Sequence, residues 1–293
     1  MNWFSGLEDV CQTDVPLAPH TWYGLGGPAR WLLTPRDEGQ LAAIVARCAA
    51  EHIAWRVLGR GANVLVRDEG FAGAVIRLSE PAWEIVTFDD PLVRAAAGVD
   101  FPRLVRQTVA RGLVGLENLA GIPGTVGGAI RMNAGGKYGY LAKYVHAVKV
   151  LTPTAQIEQR SKEEVQFGYR TAQLNGAIVL EATFALEPGD AQAAMIRFRD
   201  IWNEKYASQP PVSAKSAGCI FKNPPGHAAG KLIDDAGLKG TRSGGAEISP
   251  QHANFILAHP GAKAADVLDL IRRAKDGVRE RYGVELEPEI DIW

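Results

Sequence analysis

The sequence has few of the features that mark secreted, membrane or nucleic-acid-binding proteins. Its cysteines (Cys11, Cys48 and Cys219) are odd in number and widely spaced, which excludes a disulfide framework and a cysteine metal cluster. Its apolar runs fall far short of the ~20 residues that span a bilayer. The N-terminal MNWFSGLEDV lacks the basic start of a secretory signal. With a net charge of −1 and no lysine or arginine run, nothing indicates nucleic acid or membrane as a partner. We therefore expect a cytoplasmic protein without a metal site.

The length and composition predict two domains in a globular chain. A chain of 293 residues is too long for one small core, and its 46% hydrophobic content is ordinary for a globular protein. Prolines gather over 208–227, directly after a predicted helix at 190–206. Such a composition break indicates a domain boundary, with the second domain at 207–293.

Glycine is concentrated in one stretch, Gly115–Gly136, which reads GLENLAGIPGTVGGAIRMNAGG. It holds seven glycines but one acid, Glu117, and one base, Arg131. Glycine lets the backbone approach a ligand closely, and N–H groups in such turns bind anions. With the apolar residues between, this composition favours a large-cofactor site with a phosphate end and a flat apolar end. The alternative is a mobile glycine-rich loop.

A second glycine cluster, Gly24–Gly27, is not a dinucleotide-binding fingerprint. That fingerprint requires a helix directly after the glycines. Here Pro28 follows, and then an extended apolar run, Trp31–Leu33.

A third cluster, Gly59–Asn63, joins two predicted strands at 55–58 and 64–66. Arg60 and Asn63 add hydrogen-bond donors beside the glycines. We expect a phosphate-binding turn here, and an ordinary hairpin turn is the alternative.

Hydrophobic periodicity predicts a mixture of helices and strands. Cys48 lies on the apolar face of the first helix and is interpreted as a small core residue rather than a reactive thiol. Helices are predicted over 38–52, 100–111, 190–206, 231–236 and 264–282. Further strands are predicted over 73–79, 82–89, 92–98, 145–151, 176–188 and 284–293.

Three polar residues are candidates for chemistry, but each also has an ordinary interpretation. Arg170 lies in a polar loop, where a lone arginine is usually a surface cation. Cys219 lies between a glycine and an apolar pair, and a lone cysteine usually belongs to the core. Glu289 lies near the chain end, where a carboxylate is usually solvated. Spacing alone leaves these alternatives open.

Six motifs together resemble the UDP-N-acetylenolpyruvoylglucosamine reductases, FAD- and NADPH-dependent enzymes of peptidoglycan precursor synthesis and so of cell-wall biogenesis. They occur in the family's order, cover nearly the whole chain, and are most specific in the 117–135 block. The motifs are GLGGPA (24–29), LGRGANVLV (58–66), ENLAGIPGTVGGAIRMNAG (117–135), FGYR (167–170), SAGCIFKNP (216–224) and EPEI (287–290).

The resemblance implies an α+β fold with two domains. The first is an FAD-binding domain of the PCMH (vanillyl-alcohol-oxidase-like) type over 17–188, in subdomains of about 17–79 and 80–188. The second is an α+β substrate domain over 207–293. No insertion follows FGYR, so the chain resembles the shorter class of the family, and we expect a monomer.

The resemblance also implies residue roles. Arg170 is the electrophilic partner of the substrate carboxylate, Cys219 takes the proton-donor position held by serine in most members, and Glu289 assists it. Tyr169 and Asn223 match substrate-binding positions. The positions that match contacts to non-covalent FAD are Gly59, Arg60, Gly61, Ala62, Asn63, Val64, Leu65, Gly121, Ile122, Pro123, Gly124, Thr125, Gly128, Ala129, Asn133 and Gly135.

The implied function is NADPH-dependent reduction of UDP-N-acetylglucosamine enolpyruvate to UDP-N-acetylmuramate, with the UDP-sugar as the small-molecule partner. Two alternatives belong to other classes. An FAD-linked oxidase of the same flavin fold would consume oxygen without an enolpyruvyl acceptor. A non-catalytic UDP-sugar-binding protein would carry no flavin colour.

Overall fold

The computed structural model describes residues 3–293, and Met1 and Asn2 lie outside the described residues. The chain divides into two compact units, each made of several segments. Unit 1 comprises the residues up to Thr13, Trp31–Gly59 and Gly73–Glu204, whereas unit 2 comprises Asp14–Arg30, Arg60–Ala72 and Lys205–Trp293. The long segment of unit 2 begins near the boundary expected at residue 207. Its two short early segments carry no composition signal of their own.

Seven α-helices occur among the described residues. All five predicted helices are present: the one predicted over 264–282 has the same bounds, and the other four differ by one or two residues at their ends. They are α1 (Glu38–Ala50), α2 (Phe101–Ala110), α3 (Val126–Arg131), α4 (Lys162–Val165), α5 (Ala191–Ser208), α6 (Ala229–Asp235) and α7 (Ala264–Tyr282). Short polar side chains begin several of them: Asp37 and Asp100 accept N–H groups of α1 and α2, and Asp190 accepts those of α5.

The strands are mostly short. In chain order they are β1 (Cys11–Pro16), β2 (Pro28–Leu33), β3 (Trp55–Val57), β4 (Val64–Leu65), β5 (Phe71–Ile76), β6 (Val86–Asp89), β7 (Leu92–Ala96), β8 (Leu113–Val114), β9 (Gly135–Gly136), β10 (Gly139–Tyr140), β11 (Val145–Leu151), β12 (Ile157–Ser161), β13 (Phe167–Gly168), β14 (Thr171–Ala172), β15 (Ile178–Ala185), β16 (Glu187–Pro188), β17 (Arg242–Ser243), β18 (Ala246–Ile248), β19 (Ile256–Ala258) and β20 (Asp291–Ile292).

Two strand predictions need correction. The strand predicted over 82–89 begins only at Val86, because Pro81–Glu84 forms a 3-10 turn whose first position suits proline. The strand predicted over 284–293 is reduced to β20, and the segment before it is irregular apart from one bridge between Phe221 and Pro288.

A five-stranded antiparallel sheet in the order β12-β11-β15-β7-β6 forms the centre of unit 1. One core contains residues of β7, β11 and β15 with apolar residues of α2 and α3. A second core in unit 1 surrounds the apolar face of α1 and includes Cys48, which is fully buried. Cys48 is therefore confirmed as a core residue, and burial raises the pKa of its thiol to about 11.

Strand pairing tests the predictions made for the second and third glycine clusters. β2 follows Gly24–Gly27 directly, so rejection of the dinucleotide fingerprint is confirmed. β3 pairs with β5, whereas β4 pairs in parallel with β20. The hairpin alternative for Gly59–Asn63 is therefore wrong, since its flanking strands belong to different sheets.

Unit 2 has its own core. Apolar residues of α6 and α7 pack with those of the three-stranded sheet β17-β18-β19 and with Ala217–Phe221. Asp68, from an early segment of the unit, accepts the backbone N–H groups of Ala264 and Ala265 at 2.9 and 3.0 Å, which satisfies the start of α7. Among residues 3–293, no helix combines the length and the apolar character needed to span a bilayer.

Candidate active site

The glycine-rich stretch 115–136 is an ordered part of unit 1 rather than a mobile loop. Its second half is anchored by the N–H groups of Val126 and Gly127, which donate to the carbonyls of Val99 and Ala97 at 2.9 Å. Thr125 caps α3 by accepting the N–H of Gly128 at 3.3 Å. Gly124 has φ +111°, a conformation that side-chain-bearing residues rarely adopt.

The only acid of this stretch, Glu117, braces its first half. Its side chain is 2% exposed. One carboxylate oxygen accepts the N–H of Gly115 at 2.5 Å, and the other accepts Arg197 Nη2 at 2.9 Å. A buried carboxylate needs such partners, because an unpaired buried charge is strongly destabilising. Glu117 is therefore a structural member of the stretch.

Two segments predicted to hold the cofactor meet within unit 1. A Cβ added to Gly59 would lie 2.8 Å from Thr125 Oγ1, closer than real Cβ contacts allow. A Cβ added to Gly124, by contrast, would meet no atom within 4 Å. The backbone is thus closely packed at Gly59 and faces open space at Gly124, which fits a glycine-lined cradle for a phosphate-bearing cofactor.

Arg170 lies at the tip of a hairpin in unit 1. β13 and β14 pair through Gly168 and Thr171, so Tyr169 and Arg170 form its two-residue turn. Arg170 has φ +55°, which costs free energy in a residue other than glycine and is common at functional sites. Its guanidinium lies 5.3 Å from the Tyr169 ring centroid, and that ring makes an edge contact with Tyr140 at 6.3 Å.

Asn133 connects this hairpin to the glycine-rich stretch. Its Nδ2 donates to the carbonyl of Gly168 at 2.8 Å, and its Oδ1 accepts the N–H of Ala142 at 3.0 Å. The side chain of Asn133, predicted as a cofactor contact, thus bonds to protein backbone and positions the loop that carries Arg170.

In unit 2, the predicted cofactor segment 60–65 lies against the chain end. Asn63 Nδ2 donates to the carbonyl of Glu289 at 3.1 Å, and the N–H of Asp291 donates to the carbonyl of Asn63 at 2.9 Å. Gly61 has φ +66°, and a Cβ there would lie 2.3 Å from the carbonyl oxygen of His20. This turn therefore requires glycine at 61.

Cys219 and Glu289, distant in sequence, are carried by paired segments of unit 2. The N–H of Glu289 donates to the carbonyl of Ile220 at 2.7 Å, and the N–H of Lys222 donates to the carbonyl of Glu287 at 2.9 Å. These bonds flank the bridge between Phe221 and Pro288. The tertiary structure thereby brings together two of the three residues expected to be catalytic.

A cavity of about 350 Å³ in unit 2 contains Cys219 and Asn223 in its lining. Asn223 Oδ1 accepts the N–H of Ala229 at 3.0 Å and so holds the start of α6 beside the cavity. The volume lies within the range of pockets that hold small ligands or parts of larger ones.

Six further polar residues of the cavity wall had no signal in the sequence, namely Lys231, Asp234, Lys239, Gln251, His252 and Asn254. No motif or spacing in the sequence marks them as functional. His252 Nδ1 accepts the N–H of Asn254 at 3.2 Å, which places the proton of a neutral ring on Nε2. Burial lowers the pKa of His252 and favours this neutral form.

Two family models match the chain. One, described as the UDP-N-acetylenolpyruvoylglucosamine reductase C-terminal domain, matches residues 209–293, and one described as an FAD binding domain matches residues 29–161. The UDP-N-acetylenolpyruvoylglucosamine reductase of Limosilactobacillus fermentum is 42% identical over 279 residues, which is 94% of this chain and 92% of that protein. The chain belongs to the UDP-N-acetylenolpyruvoylglucosamine reductase family.

Solved structures agree with this membership. The crystal structure of the UDP-N-acetylenolpyruvylglucosamine reductase of Thermus caldophilus is 40% identical, covers 95% of this chain and 97% of its own, and has a TM-score of 0.82. A solvent-stable cholesterol oxidase shares the fold alone, with 16% identity, coverage of 64% and 39%, and a TM-score of 0.53. The expected α+β fold, an FAD-binding PCMH-type domain followed by the reductase C-terminal domain, is confirmed.

Within this reductase, each unit carries part of the expected site. Unit 1 contains Gly59, the 121–135 positions, Tyr169 and Arg170. Unit 2 contains the remaining expected positions, namely Arg60, Gly61, Ala62, Asn63, Val64, Leu65, Cys219, Asn223 and Glu289.

Proposed function

We propose that Arg170, Cys219 and Glu289 carry out the chemistry of this reductase. The protein is an FAD-dependent oxidoreductase that reduces UDP-N-acetylglucosamine enolpyruvate to UDP-N-acetylmuramate with NADPH, a step of peptidoglycan precursor synthesis. The observation that supports the residue assignment is the bonded pairing of 220–222 with 287–289, because Glu289 lies within one of these segments and Cys219 directly precedes the other.

Arg170 is proposed to bind the carboxylate of the enolpyruvyl group. Reduction of the double bond places negative charge on the carbon next to that carboxylate. Preorganised positive charge stabilises such a transition state more than the ground state. A guanidinium suits the task because its planar fork matches the two carboxylate oxygens. The hairpin turn and the Asn133 contact to Gly168 hold Arg170 in place before substrate binds.

Cys219 is proposed to donate the proton that completes the reduction. The thiol gives its proton to the carbon beside the carboxylate, which yields the lactyl ether. An ordinary thiol has a pKa of about 8.5 and so carries its proton at neutral pH. Glu289 assists from the paired segment, while Asn223 and Tyr169 contact the substrate.

FAD, when bound, would supply the hydride-transfer chemistry between NADPH and the substrate. The residues that we propose to hold it are those of 59–65 and of the 121–135 block. Gly59 and Gly61 leave no room for a side chain, and we propose that backbone N–H groups of these segments bind the diphosphate. Thr125 and the apolar residues around it are proposed to contact the flavin end.

FAD is expected to be bound without a covalent link. The glycine-rich stretch 115–136 contains neither histidine nor cysteine, the residues that carry covalent flavin in some proteins of this fold. Acid precipitation of the purified enzyme should therefore release all yellow colour into the supernatant, measured by absorbance. Flavin absorbance retained on the washed pellet would refute this.

Replacing Gly59 by alanine should weaken FAD retention. The added Cβ would push on Thr125, and overpacking of this kind typically costs about 1–3 kcal/mol. The fraction of purified protein that carries FAD and the melting temperature should both fall. Gly136→Ala is the matched control, because a Cβ there meets no atom within 4 Å. Equal FAD content in both variants would show that Gly59 is not part of the cradle.

We also propose a location and an assembly state: a cytoplasmic enzyme that acts as a monomer on its UDP-sugar.

The alternative function, an oxidase of the same fold, is tested by oxygen consumption of the NADPH-reduced enzyme. Rapid oxygen uptake without the enolpyruvyl substrate would favour the oxidase, whereas bleaching by NADPH and recovery only on addition of that substrate supports the reductase.

A further inference from the structure

We propose that Asn254 is a positioning residue for the reduction, because its side chain holds the segment that carries Cys219. The inference rests on the proposed role of Cys219 as proton donor. Asn254 is 3% exposed. It makes hydrogen bonds to Ile220 and Phe221, which directly follow Cys219, and to the ring of His252.

The carboxamide of Asn254 bonds to both backbone groups of Phe221. The N–H of Phe221 donates to Asn254 Oδ1 at 2.9 Å, and Asn254 Nδ2 donates to the carbonyl of Phe221 at 2.8 Å. The backbone carbonyl of Asn254 also accepts the N–H of Ile220 at 2.8 Å. The side chain therefore replaces a neighbouring β-strand, which satisfies both groups of a residue that is itself only 1% exposed.

The opposite side of the same segment is bonded to the chain end. Ile220 accepts the N–H of Glu289, and Lys222 donates to Glu287. Residues 220–222 are thus held from two sides, by Asn254 and by the segment of Glu289. Cys219 is covalently joined to Ile220, so the position of its thiol relative to Glu289 depends on both sets of bonds.

Asn254 also faces the cavity that Cys219 lines, and its N–H fixes the tautomer of His252. One residue therefore positions two parts of the cavity wall. An isosteric aspartate would keep the size and lose the Nδ2 donor. It would place a carboxylate oxygen against the carbonyl of Phe221, and two acceptors without a proton between them repel each other.

The test compares FAD-loaded Asn254→Asp with wild type in two measurements. In stopped-flow experiments, recovery of flavin absorbance with the enolpyruvyl substrate should slow by about 10- to 100-fold, the usual effect of misplacing a reacting group. Bleaching by NADPH should keep its rate. In the second measurement, which needs no substrate, iodoacetamide labelling of Cys219 followed by mass spectrometry should accelerate severalfold.

Two controls make the labelling specific. Cys11 and Cys48, whose thiol pKa values are raised to about 11 by burial, are internal references in the same digest. Asn133→Asp makes the same change at the asparagine that braces the Arg170 loop. Its Cys219 labelling should equal that of wild type, whatever its effect on turnover.

The outcomes separate the inference from the function on which it rests. A lower melting temperature with unchanged Cys219 labelling and unchanged recovery rate would overturn the positioning role and leave Asn254 purely structural. Faster labelling with an unchanged recovery rate would support the positioning role but reject Cys219 as the proton donor.

If Asn254→Asp does not fold, Asn254→Ala removes both side-chain bonds without adding a charge and takes its place. If neither folds, hydrogen exchange of wild type decides the question. The Phe221 amide should exchange as slowly as that of Ile248 in β18, which donates to the carbonyl of Thr241 at 2.9 Å, and rapid exchange would overturn the proposal.

Discussion

Replacement of Cys219 by alanine is expected to slow the oxidative half-reaction by about 10²- to 10⁴-fold, the usual contribution of a positioned acid. The alanine variant lacks the thiol, which is the group that donates a proton to the substrate carbon in the proposed mechanism. Stopped-flow recovery of flavin absorbance with the enolpyruvyl substrate measures this rate directly. Reduction of the flavin by NADPH should hardly change, because that step uses no proton from Cys219.

Cys219→Ser is the matched control for this variant. Serine keeps a donor of similar size. The serine variant should therefore retain substantial activity in the same assay. An alanine variant that recovers as fast as wild type would end the proton-donor assignment and leave Cys219 as a packed thiol in the cavity wall.

Replacement of Arg170 by lysine is expected to slow the same half-reaction by about 10²- to 10³-fold, comparable to the loss of one donor to a developing charge. An ammonium keeps the charge but cannot make the two-pronged contact of a guanidinium to a carboxylate. Lysine meets the same strain at the φ of +55°, so the substitution tests the head group rather than the turn.

Arg111→Lys provides the comparison for Arg170→Lys. Arg111 is also stacked on an aromatic ring, 3.9 Å above the centroid of Phe88, but has no proposed role in the reaction. Its variant should recover flavin absorbance at the wild-type rate. If Arg170→Lys slows NADPH reduction as much as recovery, Arg170 is a structural residue and the carboxylate contact is wrong.

The helices and strands with strong hydrophobic periodicity were predictable, because the spacing of their apolar residues shows which face is buried. The stretch 264–282 shows Val267, Ile271, Ala274 and Val278 at helical spacing, and α7 buries all four. Likewise Cys48 was assigned to the core from the face of α1 alone. End positions were less certain, since ends depend on caps and turns such as the 3-10 turn at Pro81–Glu84.

The conformation of the Gly59–Asn63 turn could not be predicted from its local sequence. Two short apolar runs joined by glycines suit a hairpin as well as a ligand-binding turn. The choice was made by partners far away in the chain, β5 for β3 and β20 for β4. The backbone N–H and C=O groups of a short strand need hydrogen-bond partners, but the sequence of the strand does not show which segment provides them.

The sequence by itself determined the family, through six motifs in order, and with it the cofactor and the identity of the candidate residues. Only the tertiary structure decided that segments 14–30 and 60–72 belong with 205–293, that the segment of Glu289 pairs with residues 220–222, and that His252 and Asn254 line the same cavity as Cys219. The physical reason is the range of the interactions. Periodicity and glycine content act over a few residues and are visible in the chain, whereas strand pairing, side-chain clamps such as that of Asn254 and cavity walls join residues that only folding brings together.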